Sequence, residues 1–184
     1  MKCYNHASTM ELCDSLKEVL SSMREKRGFD VKKYIKEKTA KLNRYMTESG
    51  LNACVIAVSG GIDSSIVLGL VYEASKQKDS PIKKIVPVLL PCYDNCGVTN
   101  QTDATSRGKD VCLKYGLEPV EINMHEIVET IRNSVETKIN LTPDPWAIGQ
   151  LVPYSRTPVL YYTTSLLNVA GYKAIIVGTT NFSE

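Results

Sequence analysis

The 184-residue chain has no apolar run approaching the roughly 20 residues that cross a bilayer. Its opening stretch, Met1 to Asp14, lacks a basic segment followed by an apolar one, so no secretory signal is visible. A strong excess of charge of either sign is missing too. A formal net charge of +2 gives no argument for nucleic acid or a membrane surface as partner. The six cysteines (Cys3, Cys13, Cys54, Cys92, Cys96 and Cys112) form no C-x-x-C pair. The C-x-x-x-C spacing of Cys92 and Cys96 is off the pattern of a structural zinc site. There is no internal repeat and no low-complexity tract. These absences leave an ordinary globular chain, 43% apolar and 23% charged, long enough for one well-formed core. Reduced cysteines and a cytoplasmic location are the corresponding expectation.

What is present centres on Val55-Ile56-Ala57-Val58-Ser59-Gly60-Gly61-Ile62-Asp63-Ser64-Ser65. A β-prone run enters a glycine turn, and an apolar helical run from Ile66 to Ala74 leaves it. Such a turn directs backbone N–H groups at one point, at the positive end of a helix dipole, and so forms an anion site. The paired glycines permit φ > 0 and close approach of a ligand. Ser64 is expected to cap the helix while its hydroxyl faces the anion. Asp63 beside a phosphate would repel it unless a cation lies between, and Mg²⁺ is the usual one. The G-x-x-x-x-G-K-[ST] spacing of a Walker A loop is absent.

Along the rest of the chain, residues 1–27 read as a short amphipathic helix or a loose extension. A helix starts at Asp30, with Val31, Tyr34, Ile35, Leu42, Tyr45 and Met46 at helical spacing, and Gly50 ends it. Between Arg24 and Arg44 nine Lys/Arg stand against three acids, a solvated basic face. Strands are expected at Ala53–Val58, Ile85–Leu90, Leu117–Ile122 and Ala174–Val177. Helices are expected at Ser64–Lys76, Thr102–Tyr115, His125–Ile139 and Thr157–Ala170, the last starting at Pro158 after a break over Leu141–Pro145. His125 reads as a surface or capping residue. Pro87 is a local objection to the second strand, since it cannot donate to a ladder. The alternation predicts an α/β fold of three layers, a parallel sheet with helices on both faces. In such a sheet the loops Ser59–Ser65, Pro91–Asp103 and Gly178–Glu184 leave the same edge and meet in one crevice.

Ser-Gly-Gly-x-Asp-Ser after a strand resembles the PP-loop of the ATP pyrophosphatases, a Rossmann-like, adenine-nucleotide alpha-hydrolase-like superfamily. Gly178-Thr179-Thr180-Asn181-Phe182-Ser183-Glu184 is similar to the Gly-Thr-x-Asn-x-x-Glu segment of NAD synthetases. Ser155-Arg156-Thr157 is similar to their Ala-Arg-x-Arg segment, and Phe29 to Gly50 resembles their first helix. Leu90-Pro91 and Gln101-x-Asp103-Ala104 also fit. The likeness covers residues 29–184, with 1–28 as an extension.

The resemblance implies that ATP adenylates the nicotinate carboxylate of deamido-NAD and that ammonia then displaces AMP. It implies that Ser59, Gly60, Gly61, Ile62, Asp63, Ser64 and Ser65, assisted by Thr179, hold the ATP phosphates. It further implies that Asp63 and Ser64 stand at the chemistry and that Asp63 and Glu184 hold Mg²⁺. By the same resemblance Arg156 is expected to bind the acid dinucleotide, Tyr45 to line the nicotinate pocket, and the protein to be a homodimer. Pro158 stands where the family often has a second arginine, and Thr180 and Phe182 depart from its commoner residues. Family members continue past the segment that ends here at Glu184, so weak turnover is expected of this chain alone. With no amidase module in view, ammonia is expected from solution or a partner. Three other readings share the loop, one of them another amidating or synthetase PP-loop enzyme for a small molecule, against which the Arg156 and Gly178–Glu184 segments argue. An RNA-modifying PP-loop enzyme would use the basic helix and the cysteine pair and show salt-dependent RNA binding. A non-catalytic adenine-nucleotide module would bind without releasing pyrophosphate.

Overall fold

The computed structural model describes residues 13–93 and 101–179. The chain falls into two compact units, residues 1–37 and 38–184.

In the first unit, α1 (Asp14–Arg27) has Asp14 in its first turn and Arg24, Lys26 and Arg27 in its last, both signs matching the helix dipole. Gly28, at φ +53°, caps it by donating to the Glu25 carbonyl. The expected amphipathic helix thus forms, but it buries none of its residues: Leu16, Val19 and Met23 are all exposed. The next helix, α2 (Val31–Glu48), opens where Asp30 Oδ1 accepts the Lys33 amide at 3.1 Å. Gly50, at φ +65°, terminates it, and the Leu51 amide returns to the Met46 carbonyl at 2.7 Å.

The second unit is built on four parallel strands in the order β3-β2-β1-β4: β1 (Ala53–Ala57), β2 (Lys84–Leu89), β3 (Val120–Glu121) and β4 (Ala174–Ile176). Between them run α3 (Ile62–Ser75), α4 (Thr102–Lys114), α5 (His125–Ile139) and α6 (Pro145–Val169). Ala53 is in register with Lys84 on one side and Ala174 on the other. The strand period of two splits the core between the faces. Cys54, Ile56 and Val58 pack with Leu68 and Val71 of α3 and Cys112 of α4. Val55, Val86, Val88 and Leu90 pack with Val128 of α5 and, from α6, Val152, Val159, Leu160 and Leu167. The three-layer α/β reading therefore holds.

One objection raised by the sequence is answered, and two sequence expectations change. Pro87 does sit inside β2, opposite Ile56. Val88 presents its carbonyl to β1, accepting the Val58 amide, and Leu89 presents its own to the β3 side, accepting the Ile122 amide. Pro87 alternates with Val88, so its missing donor faces the β3 side, where the ladder begins one residue later at Val88–Val120. The third strand pairs over two residues only, not over Leu117–Ile122. The last helix starts at Pro145, not at Thr157–Pro158, and runs through Pro153 and Pro158. Asp144 caps it, its carboxylate accepting the Ala147 amide at 2.8 Å, and Pro145 takes the first turn, where no N–H is needed. The last two residues of the stretch read as a break, Asp144 and Pro145, are the helix start, and packing on the sheet carries the helix past its prolines.

A buried polar network holds the far end of α3. Asn43 Nδ2 donates to the Ala74 carbonyl at 2.9 Å and to Gln77 Oε1 at 2.8 Å, while Ser80 Oγ donates to Asn43 Oδ1 at 3.0 Å. Carbonyls at that helix end lack intrahelical donors, and Asn43 supplies one from α2.

Candidate functional site

β2 and β4 flank β1 on opposite sides, so the chain reverses direction across the sheet at β1. The crevice beyond the carboxyl end of such a strand is where open α/β sheets bind ligands. The segment leaving β1 there is Val58–Ser65.

Gly60 adopts φ +76°, and a Cβ on it would lie 1.9 Å from the Ala104 carbonyl oxygen. Only glycine satisfies both conditions. Gly108 makes the same approach from α4: its Cβ would meet Leu89 Cδ2 at 2.8 Å and the Gly60 nitrogen at 3.5 Å. The start of α4 is thus pressed against the loop. A glycine inside an otherwise helical stretch was the signal in the sequence for this packing.

The helix cap is Gly61, not Ser64 as expected from the sequence. α3 starts at Ile62, two residues before the expected Ser64, which places Ser64 inside its first turn. There Ser64 is buried. Its hydroxyl donates to the Gly61 carbonyl at 3.1 Å and accepts the Ser59 amide at 3.2 Å. The Ser59 hydroxyl lies 3.1 Å from it and accepts the Gly61 amide at 3.3 Å. With Ser64 donating to Gly61, Ser59 is the donor between the two serines, so both hydroxyl protons are committed. Ser65 Oγ donates to the same Gly61 carbonyl at 2.8 Å. What faces outward is backbone: the amides of Ile62, Asp63 and Ser64 open the helix and have no acceptor four residues back. Asp63 stands exposed in that first turn, in no ion pair with the described residues.

Beside the loop is a cavity of about 480 Å³. Its walls come from the exits of β1 (Ala57 to Ser59) and β2 (Val88 to Pro91), from Gln101, Ala104 and Thr105 at the start of α4, and from Arg156 and Thr179. Arg156 does not open a helix, as its neighbours in the sequence suggested, but projects from the middle of α6. Its Nε donates to the Leu90 carbonyl at 3.1 Å and its Nη2 to Gln101 Oε1 at 3.3 Å. Gln101 Oε1 also accepts the Cys92 amide at 3.0 Å, so one carboxamide ties the β2 exit to both helices.

The fold thus brings Ser59, Arg156 and Thr179 to one cavity and sets Gly60, Gly61, Ile62, Asp63, Ser64 and Ser65 at its side. Tyr45 is half exposed on α2 and does not line it. Glu184 and Cys96 lie outside the described residues. Among those residues no group of three or more His, Cys, Asp or Glu is placed to hold a metal. A lone exposed carboxylate at a helix N-terminus still suits Mg²⁺, which is commonly held by one or two carboxylates together with substrate phosphates. Cys54, in β1, is a core residue: burial pushes its thiol up to about 12. No helix among the described residues is long and apolar enough to cross a membrane.

The family model described as NAD synthase matches residues 34–184. The NH(3)-dependent NAD(+) synthetase of Thermococcus kodakarensis is 29% identical over 158 residues, 86% of this chain and 54% of that protein. The enzyme of the same name from Thermoplasma acidophilum is 33% identical over 135 residues, 73% of this chain and 47% of that protein. The chain therefore spans about half the length of the curated relatives it matches. Among solved structures, the NH3-dependent NAD synthetase of Campylobacter jejuni superposes with a TM-score of 0.67 at 21% identity, over 85% of this chain and 59% of that one. The NMN synthetase of Francisella tularensis gives 0.66 at 21% identity, over 83% and 56%. At that identity the likeness is one of fold.

Proposed function

Because the chain belongs to the NAD synthase family, we propose that it activates the nicotinate carboxylate of deamido-NAD with ATP and that ammonia then amidates it. A carboxylate oxygen attacks the α-phosphorus of ATP and pyrophosphate departs. Ammonia then attacks the acyl carbon, AMP leaves with the bridging oxygen, and a proton is released, giving NAD⁺. One observation carries the reading: a pre-shaped amide loop at the carboxyl end of β1, beside a cavity walled by Arg156 and Thr179.

The chain's own part is positioning and charge stabilisation. The amides of Ile62, Asp63 and Ser64, with the dipole of α3, stabilise negative charge on the leaving pyrophosphate. Gly60 and Gly61 admit the phosphates to the backbone, Ser59 and Ser64 hold the loop in shape, and Ser65 and Thr179 border the phosphate path. Arg156, at the cavity wall, meets the acid dinucleotide. Mg²⁺, when bound at Asp63 and Glu184, would screen the phosphates from those carboxylates. Tyr45 in this reading serves a nicotinate site outside the cavity described above, completed by a second copy of the chain. Residues 29–184 make up the ATP-pyrophosphatase domain, 1–28 an extension, and the protein works in the cytoplasm as a homodimer.

Calorimetric titration with deamido-NAD in the presence of ATP·Mg²⁺, with nicotinate mononucleotide as the second ligand, tests this. Saturable deamido-NAD binding that Arg156→Ala weakens supports the dinucleotide. Preference for the mononucleotide would shift the reading toward NMN synthesis, the activity in the name of the Francisella tularensis protein. ATP·Mg²⁺ affinity left unchanged by Asp63→Ala would overturn the metal and phosphate assignment.

A further inference from the structure

Arg107 lies on α4 one turn beyond Ala104, the residue whose carbonyl occupies the space a Cβ on Gly60 would need. Its Nε donates to the Gly60 carbonyl at 3.4 Å. That is long for an N–H···O bond, so it is easily given up. A guanidinium carries five N–H donors. The two terminal nitrogens of Arg107 meet no carboxylate and no other acceptor among the described residues. Other cations nearby in sequence or space are occupied. Lys109 pairs with Glu121, and Arg156 donates to Leu90 and Gln101.

The placement is unfavourable in itself. The loop that Arg107 touches leads into the N-terminus of α3, which carries about half a positive charge, so a cation fastened there is repelled. An anion bound on the loop turns that repulsion into attraction between itself and both groups. A planar guanidinium also fits two phosphate oxygens at once, which an ammonium does not.

We infer that Arg107 binds the terminal phosphates of the nucleotide held at Ser59–Ser65 and follows the pyrophosphate as it leaves. The inference rests on the nucleotide reading above and deepens it. It adds a side-chain cation, from α4, to a cradle otherwise made of backbone amides.

The test is calorimetric titration of the whole chain, as parent, Arg107→Ala and Arg107→Lys, with inorganic pyrophosphate, ATP and AMP, each with Mg²⁺. Arg107→Ala is expected to weaken pyrophosphate and ATP by about tenfold or more, the loss of one charge-assisted hydrogen bond, and to leave AMP unchanged. Arg107→Lys is expected to recover part of the affinity. Pyrophosphate binding at parental strength in Arg107→Ala, or an equal loss for AMP, overturns the inference. Should Arg107→Ala lower the thermal midpoint, Arg107→Lys decides: intermediate pyrophosphate affinity supports the role, parental affinity removes it. A parent that binds pyrophosphate but neither nucleotide would remove the nucleotide reading and reduce the inference to a pyrophosphate contact, which the Arg107→Ala titration with pyrophosphate keeps or overturns. A parent that binds none of the three would remove both.

Discussion

A methyl group added at Gly60 would sit 1.9 Å from the Ala104 carbonyl oxygen, on a residue held at φ +76°. The left-handed conformation alone costs a non-glycine residue about 1–2 kcal/mol, and a backbone carbonyl cannot swing aside as a side-chain tip can. Gly60→Ala is therefore expected to cost more than about 2 kcal/mol by urea midpoint and to abolish ATP binding. At Cys54 the expectation concerns pH. The thiol is raised from 9.0 to about 12 by burial, so the native state favours the protonated form. The stability this contributes is complete below pH 9 and is lost as pH rises toward 12. Unfolding titrations across that window should show a steeper alkaline decline in the parent than in Cys54→Ala, whatever the absolute offset between them. The positive φ of Gly60 was legible because backbone freedom is a local property. The Ser64 hydroxyl was not, because its partners are set by where the helix begins, and an apolar pattern starting at Ile66 places that start too late.

The same distinction governs the elements. β1 and α3 announce themselves through apolar runs around a glycine turn, and the structure moves their ends by only a few residues. α6 was half hidden, because prolines at 143, 145, 153 and 158 read as punctuation while the helix needs only the first residues of its run to cap it. Pro158 deprives the Tyr154 carbonyl of its intrahelical donor. Its ring is exposed, so little packing offsets the loss. Pro158→Ala should raise the thermal midpoint. The gain is bounded by the roughly 3 kcal/mol helix penalty of proline, less about 0.4–1 kcal/mol from the freer unfolded chain. A lower midpoint would mean that a bend at this point is needed to seat α6 on the sheet. The two-residue β3 was overestimated because Leu117-Glu118-Pro119 was counted into it, although Pro119 has no N–H to give and the ladder to β2 starts only at Val88–Val120.

At the scale of the molecule, the strand order 3-2-1-4 gathers the exits of β1, β2 and β4 on one edge. This much follows from alternating elements and the right-handed crossover rule, so the crevice was foreseeable. The hydrogen bonds of Gln101 and Arg156 were not, since residues 55 positions apart meet there only after α6 has crossed the sheet. Ligand binding to the folded state alone stabilises it by mass action, by about 2.7 kcal/mol at one hundred times the dissociation constant. ATP·Mg²⁺ is expected to raise the unfolding temperature more than AMP·Mg²⁺ at equal free concentration, and Asp63→Asn to remove most of the difference. Equal shifts for the two nucleotides would count against phosphate recognition at the loop.

The serine pair at 59 and 64 bears on how the proposed nucleotide would be captured. Both hydroxyl protons are already spent inside the turn, so an arriving guest meets a template and not a search. Little ordering entropy is left to surrender on arrival, and discrimination among guests then falls to geometry: those whose oxygens match the fixed amide directions are kept, and the rest diffuse away.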